Sequence, residues 1–222
     1  FLLSSNLGEI LTMFVAIVSG LAAPLKAIHI LWINLITDSL PALALGVDSG
    51  DPDAMKNAPR SPKESLFSHG GLAITVFFGI VIGTITLSAF LITPVRAILE
   101  AGQLLNLENL KLALMDEAIY IQSQTYAFTT LGVSQLFNAI GMRNLNRSIF
   151  RFNHLENKMM IVAFFFGLLL QISVTEIDFL TEVFKTQELT LKQWLELGAL
   201  STAPLWFHEL FVFVRYMKKK AA

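Results

Sequence analysis

Six apolar stretches succeed one another along the chain, near 1–19, 28–47, 71–94, 118–140, 159–175 and 194–214. Each is built mainly from Leu, Ile, Val, Phe and Ala, without the period-2 alternation of a half-buried strand. About 20 apolar residues suffice for a helix to cross ~30 Å of hydrocarbon. In that medium the backbone must satisfy its own N–H and C=O groups, so each stretch is predicted to be a helix. The expected fold class is all-α, a polytopic membrane bundle of six transmembrane helices forming a single domain over 1–222. Residues 97–114 have apolar positions at helical spacing and predict a short interfacial helix. The 48–70 connection contains Pro52, Pro59 and Pro62 and reads as an ordered, extended loop.

The informative positions are those that break the apolar pattern. An ionisable group in the bilayer core costs at least ~2.5–3.5 kcal/mol, yet span one carries Glu9 and span two carries Asp38. Neither has a Lys or Arg within the apolar core of its span to neutralise it. Around them lie Ser4, Ser5 and Asn6 in span one, Asn34 and Thr37 in span two, and Ser134, Gln135 and Asn138 in span four. Asn6 and Glu9 are spaced i, i+3. Asn34, Thr37 and Asp38 are i, i+3, i+4, and Gln135 and Asn138 repeat i, i+3. Three polar stripes on three helices can thus converge on one interior point. Such a point offers carboxylate, amide and hydroxyl oxygens, the donors a hard cation such as Ca²⁺ takes in sets of six to eight. Pro41 cannot donate to the carbonyl of Thr37, so span two is predicted to break there and free carbonyls beside the polar stripe. Asn, Thr and Ser in such helices also serve as ordinary interhelical hydrogen-bonding groups, and Gln135 suits either role. For Glu9 and Asp38 a cation site or a proton-carrying role is the favoured reading.

Composition narrows the class further. Hydrophobic residues make up 54% and charged residues 15%, with a mean hydropathy of +0.61; globular domains carry about 25% charged residues. A net charge of −1 excludes a polybasic nucleic-acid binder, and the absence of Cys excludes disulfides and thiolate metal sites. Eleven Lys and Arg fall in the 48–70 loop, the connection between spans four and five, and the tail, against five on the opposite side. The positive-inside rule therefore places the C-terminus and loop 48–70 in the cytosol. The apolar start, with neither Met nor signal peptide, reads as a cut within a helix of a longer protein. Gly79 and Gly83 form a GxxxG pattern suited to close helix packing. His29, His69, His154 and His208 show no ligand spacing and are expected to be isolated polar or interfacial residues. Asn146-Arg147-Ser148 matches a glycosylation sequon on the side assigned to the cytosol, and Lys218 to Lys220 suit a topology anchor.

The run Leu31-Trp32-Ile33-Asn34-Leu35-Ile36-Thr37-Asp38-Ser39-Leu40-Pro41-Ala42 resembles the sixth membrane helix of calcium-transporting P-type ATPases. Ser4-Ser5-Asn6-Leu7-Gly8-Glu9 resembles the end of the preceding helix, and Pro59-Arg60-Ser61-Pro62-Lys63-Glu64 the following cytosolic loop. The motifs occur in the family's order and spacing, and weaker similarity extends to Trp194 and the last span, so the resemblance covers helices five to ten. It implies that Asn6, Glu9, Thr37 and Asp38 line one calcium site, and that Asn34 with Asp38 contributes to a second. It also implies that Glu9 binds Ca²⁺ and returns protons when the ion leaves. The position of Gln135 is a Glu in the sarcoplasmic-reticulum type of pump; the amide removes a charge and leaves open one or two ions per cycle. The sodium–potassium relatives carry Asp at the position of Asn34, which favours a calcium-type pump, with manganese or another hard divalent ion as an alternative.

No D-K-T-G-T phosphorylation motif, P-loop or HExxH occurs, so this chain alone is expected neither to bind nor to hydrolyse ATP. The partners the resemblance implies are the lipid bilayer, N-terminal helices, and cytosolic phosphorylation, nucleotide and actuator domains that use Mg²⁺ and ATP. Rival readings are a secondary cation/proton exchanger or channel complete in six helices, and a structural membrane subunit held together by its polar stripes.

Overall fold

A computed structural model of the chain describes residues 1–48, 67–145, 147–151 and 154–221. The expectations for Pro52, Pro59, Pro62, the 59–64 motif and Asn146 lie outside the described residues, as do the side chains of His69, His154 and Lys218 to Lys220. Among the described residues the fold is all-helical. In chain order the helices are α1 (Leu2–Val18), α2 (Ala27–Trp32), α3 (Ser39–Gly46), α4 (Gly71–Glu100), α5 (Leu107–Ala113), α6 (Glu117–Met142), α7 (Lys158–Glu176), α8 (Asp178–Phe184), α9 (Leu191–Ser201) and α10 (Ala203–Ala221).

Among the described residues four segments are long and apolar enough to cross a membrane: Ala27–Gly46, Gly71–Glu100, Lys158–Glu176 and Leu191–Met217. Helix α1, with 17 residues, is shorter. Helix α6 is ~39 Å long at 1.5 Å per residue, but it is too polar to be counted with those four. The reason lies in its position. Every residue from Ser123 to Leu136 is buried, the signature of a helix surrounded by others rather than by solvent. Helices α4, α7, α9 and α10 pack around it. The polarity of α6 is therefore hidden from lipid, and its hydroxyls are partly satisfied within the helix, as where Thr125 donates to Ile121 O at 2.9 Å.

The densest helix pair is α1 with α4, and the GxxxG pattern forms its seam. A Cβ on Gly79 would lie 2.8 Å from Leu7, and one on Gly83 would lie 3.1 Å from Gly8 O. Only hydrogen at these positions lets the backbones approach so closely. Thr12 bridges the seam, donating to Gly8 O at 2.8 Å and to Gly83 O at 3.4 Å.

The ends of the helices follow local chemistry. Gly20 (φ +70°) and Gly102 (φ +66°) close α1 and α4 through left-handed turns. In each turn the following N–H returns to the helix, Leu21 to Ala16 O at 2.9 Å and Gln103 to Ile98 O at 3.0 Å. Helix α4 does not stop near residue 94 as the pattern predicts. It continues through Pro94 to Glu100, so the first residues of the expected 97–114 interfacial helix belong to α4 and only Leu107–Ala113 stands apart. Span six is two helices, α9 and α10, which meet at Thr202. Pro204 occupies the first turn of α10, where its missing N–H costs nothing. Helix α8 was not foreseen; its Phe184 joins Phe128, Ile33 and Ile82 in the main core cluster.

Candidate functional site

Span two carries the defect that shapes the site. Between α2 and α3 the ladder widens into a π-helical turn over Ile33–Thr37. Asp38 N–H bonds to Ile33 O, five residues back, at 2.8 Å, and Thr37 Oγ1 donates to the same carbonyl at 3.1 Å. The break thus lies one turn ahead of Pro41 and takes the form of an inserted residue rather than a gap. Such π-turns recur where a side chain must be re-aimed. Beyond it α3 resumes, with Ala42 N–H bonding to Asp38 O at 3.1 Å.

Glu9, on α1, is the meeting point. It is 5% exposed. Its Oε2 accepts from Asn34 Nδ2 at 2.9 Å and its Oε1 from Gln135 Nε2 at 3.2 Å. Asn34 is held for this by a second donation, to Ile30 O at 3.0 Å. One carboxylate therefore ties together the three polar stripes of spans one, two and four. Asp38 is 1% exposed and follows directly on the π-turn that carries Asn34, the partner of Glu9. Among the described residues neither oxygen of Asp38 has a hydrogen-bond donor, and the same holds for Gln135 Oε1, Asn138 Oδ1 and Ser5 Oγ. Buried carboxylate and amide oxygens without donors are costly, by ~1–3 kcal/mol for a neutral group and more for a charge. A hard cation is the partner that suits a set made only of oxygens.

The predicted residues divide as follows. Glu9, Asn34 and Gln135 are joined directly, Thr37 and Asp38 are buried at the π-turn, and Asn6 stands apart. Asn6 is exposed, and its side chain makes no hydrogen bond among the described residues. An i, i+3 step leaves two side chains about 60° apart around the helix, enough to put Glu9 inside and Asn6 at the open edge. Asn34 is also exposed. Sequence reasoning noted Ser4, Ser5 and Asn138 without assigning them to the site. Asn138 Nδ2 now donates to Ser4 Oγ at 3.4 Å, one turn of α6 beyond Gln135. Among the described residues no three His, Cys, Asp or Glu cluster as metal ligands; the site has two carboxylates, and amides and hydroxyls supply the rest.

Polar groups elsewhere behave as ordinary structure. His29 and His208 are wholly buried rather than interfacial. A ring nitrogen of each lies at hydrogen-bond distance from a backbone oxygen, Phe184 O at 2.8 Å and Asn144 O at 3.0 Å, which lets an imidazole be buried without a metal. Trp194 Nε1 donates to Glu176 Oε1 at 2.9 Å and staples α9 to the end of α7.

Helices of membrane length around a buried, oxygen-lined site at a broken helix define a polytopic membrane protein with a polar centre. Over residues 22–214 the chain matches the family described as cation transporting ATPase, C-terminus, and it belongs to that family. The match includes Asn34, Thr37, Asp38 and Gln135, and begins after Asn6 and Glu9. The chain is 44% identical over 95% of its length to a calcium-transporting ATPase of Bacillus cereus. It is 37% identical over 92% to one of Bacillus subtilis, and 28% identical over 96% to an endoplasmic reticulum-type calcium-transporting ATPase of Arabidopsis thaliana. It spans 23%, 21% and 22% of the lengths of those three relatives, respectively.

Proposed function

We propose that this chain is the membrane end of a longer calcium-transporting P-type pump, and that Glu9, Asn34, Thr37, Asp38 and Gln135 bind the transported ion, with Asn6 at the open edge. The observation that carries the reading is Asp38: a buried carboxylate with no donor among the described residues, at a π-turn whose Asn34 holds a second carboxylate that gathers three helices. The relatives' names support Ca²⁺ as the cargo. The exposure of Asn6 and Asn34 suits a site whose remaining ligands come from helices outside this chain. The donor set accepts Mn²⁺ as well, and competition between the two ions in a binding assay ranks them.

In this reading the six spans form one transmembrane domain, with the C-terminus and the 48–70 loop in the cytosol. ATP and Mg²⁺ act on domains elsewhere in the longer pump. Phosphorylation there drives transport only by changing how tightly this site holds the ion in two states. The π-turn gives span two a place to change: rotation about Ile33–Thr37 moves Thr37 and Asp38 relative to Glu9. Glu9, whose oxygens accept from two amides, is the group we assign to carrying protons back once the ion leaves.

The test is Asp38→Asn in the full-length pump. The substitution keeps size and removes the charge. It is expected to abolish Ca²⁺-dependent phosphorylation by ATP, and undiminished phosphorylation and uptake would sink the assignment.

A further inference from the structure

Helix α3 carries Asp38 at its start, yet little apolar packing fixes its rotation. Of its eight residues only Pro41 and Ala44 are buried, and Leu43 is 59% exposed. Its fully buried contact with the bundle is small, Ala44 against Ala139 and Ala163 with Met160, and its own Leu40 and Leu45 are only partly buried against that cluster, as is Phe1. With one alanine of α3 fully buried in that contact and its leucines half outside it, few interlocking side chains set the rotation of the helix. The π-turn adds a second freedom. Losing its inserted residue would turn α3 by about 100° and shift it ~1.5 Å, carrying Asp38 away from Glu9.

Two polar fastenings oppose that slippage at the far end of α3. Arg143 caps α6, the helix that carries Gln135. Its Nε and a terminal guanidinium nitrogen donate to the two oxygens of Asp48 at 2.6 and 2.9 Å. The pair is largely buried, with side-chain exposures of 8% and 15%. Asn157 caps α7 by accepting from Met160 N–H at 2.8 Å. With its amide nitrogen it donates to Ala44 O at 2.8 Å. Helix α3 is thus pinned to α6 on one side and to α7 on the other. A buried ion pair is poor evidence for stability, because desolvation offsets most of its attraction. Its bidentate geometry is directional, however, and selects one register.

We infer that Arg143, Asp48 and Asn157 are positioning residues for the ion site: a latch that fixes the rotation of α3 and so holds Thr37 and Asp38 in register with Glu9 and Gln135. The inference rests on the proposed ion site and adds residues that touch no ligand.

Stability and positioning are separable by an apolar replacement. In the full-length pump, the double variant Arg143→Met with Asp48→Leu removes the directional pair and takes both of its charges away together. It is expected to unfold at the wild-type temperature or above, while the Ca²⁺ concentration giving half-maximal phosphorylation rises about tenfold or more. Arg143→Lys retains charge without the fork and is expected to give a smaller rise. Wild-type Ca²⁺ dependence in the double variant overturns the inference. Should the double variant fail to fold, Asn157→Ser is decisive. Serine still caps α7 but is too short to reach Ala44 O, so a several-fold weaker Ca²⁺ response is expected and an unchanged one overturns the latch. Asp38→Asn, measured alongside, separates the two readings. If it leaves the Ca²⁺ dependence intact, the ion-site assignment fails. If it abolishes the response while the latch variants match wild type, only the latch fails.

Discussion

Replacing Gly8 by Ala tests whether the α1–α4 seam positions Glu9, the next residue along. A Cβ at Gly8 would lie 2.7 Å from Ile82 Cγ2, 2.9 Å from Ile82 Cβ and 3.3 Å from Gly79 O. Carbon atoms settle at about 3.5–4.0 Å, so the helices must part by roughly 0.8–1.3 Å. The obstacle is the branched root of a buried isoleucine in a helix, which has essentially one rotamer and cannot swing aside. Glu9 holds Asn34 and Gln135 at 2.9 and 3.2 Å. Moving α1 by that distance takes either bond past the useful range or into a clash. Overpacking of this kind costs about 1–3 kcal/mol, and each lost hydrogen bond adds about 0.5–1.5 kcal/mol. At 1.4 kcal/mol per factor of ten in binding, Ca²⁺ affinity should fall about tenfold or more. Gly46→Ala is the control, since among the described residues nothing lies within 4 Å of its would-be Cβ. There the gain in helix propensity, about 0.5–1 kcal/mol, should leave stability level or improved and ion binding unchanged. Equilibrium ⁴⁵Ca²⁺ binding and thermal unfolding of the full-length pump read both quantities. Wild-type affinity with a raised unfolding temperature in Gly8→Ala would refute the idea that this seam sets Glu9.

Two further outcomes follow from the same geometry. Gln135→Glu replaces a donor to Glu9 by a second acceptor, so two carboxylates must share a proton or a cation. Ca²⁺ then has one more proton to displace, and affinity should rise with pH more steeply, by up to about a tenfold gain per pH unit; binding isotherms identical to wild type across pH would assign Gln135 to packing. Gln171→Leu should raise the unfolding temperature by a few degrees. Both amide atoms of Gln171 are buried with no partner among the described residues, Oε1 against Gly132, and removing them returns ~1–3 kcal/mol of desolvation; a lower unfolding temperature contradicts this reading of the α6–α7 contact.

Helix positions were legible because hydrocarbon-facing sequence is nearly monotonous. The stretches at 1–19, 28–47, 118–140 and 159–175 lie within a few residues of the helical segments at 2–18, 27–46, 117–142 and 158–176. The interruptions were harder to read. Pro41 signalled a broken helix, but a proline says only which donor is missing; the neighbouring chain decided that the strain would settle one turn earlier, as an inserted residue at Ile33–Thr37. Pro94 carries the same local signal and breaks nothing. Of the candidate site, Glu9, Asn34 and Gln135 came together as their spacing implied. Asn6 did not, because i, i+3 periodicity cannot distinguish the middle of a buried stripe from its edge. The fastenings of α3 gave no pattern at all, since Asp48 and Arg143 lie 95 positions apart and meet only through the packing of α3 and α6.

The buried polarity of α6 also bears on how the protein is made. A helix clothed in Leu and Phe can leave the insertion machinery singly, because lipid welcomes it from every side. Helix α6, with Ser123, Gln124, Thr129, Thr130, Ser134, Gln135 and Asn138 on its buried surface, gains little from lipid until its neighbours shield it. Entry of α6 into the membrane is therefore an act of assembly as much as of partitioning. Substitutions on the faces that α4, α7, α9 and α10 turn toward it can do their damage during biosynthesis, before any ion arrives.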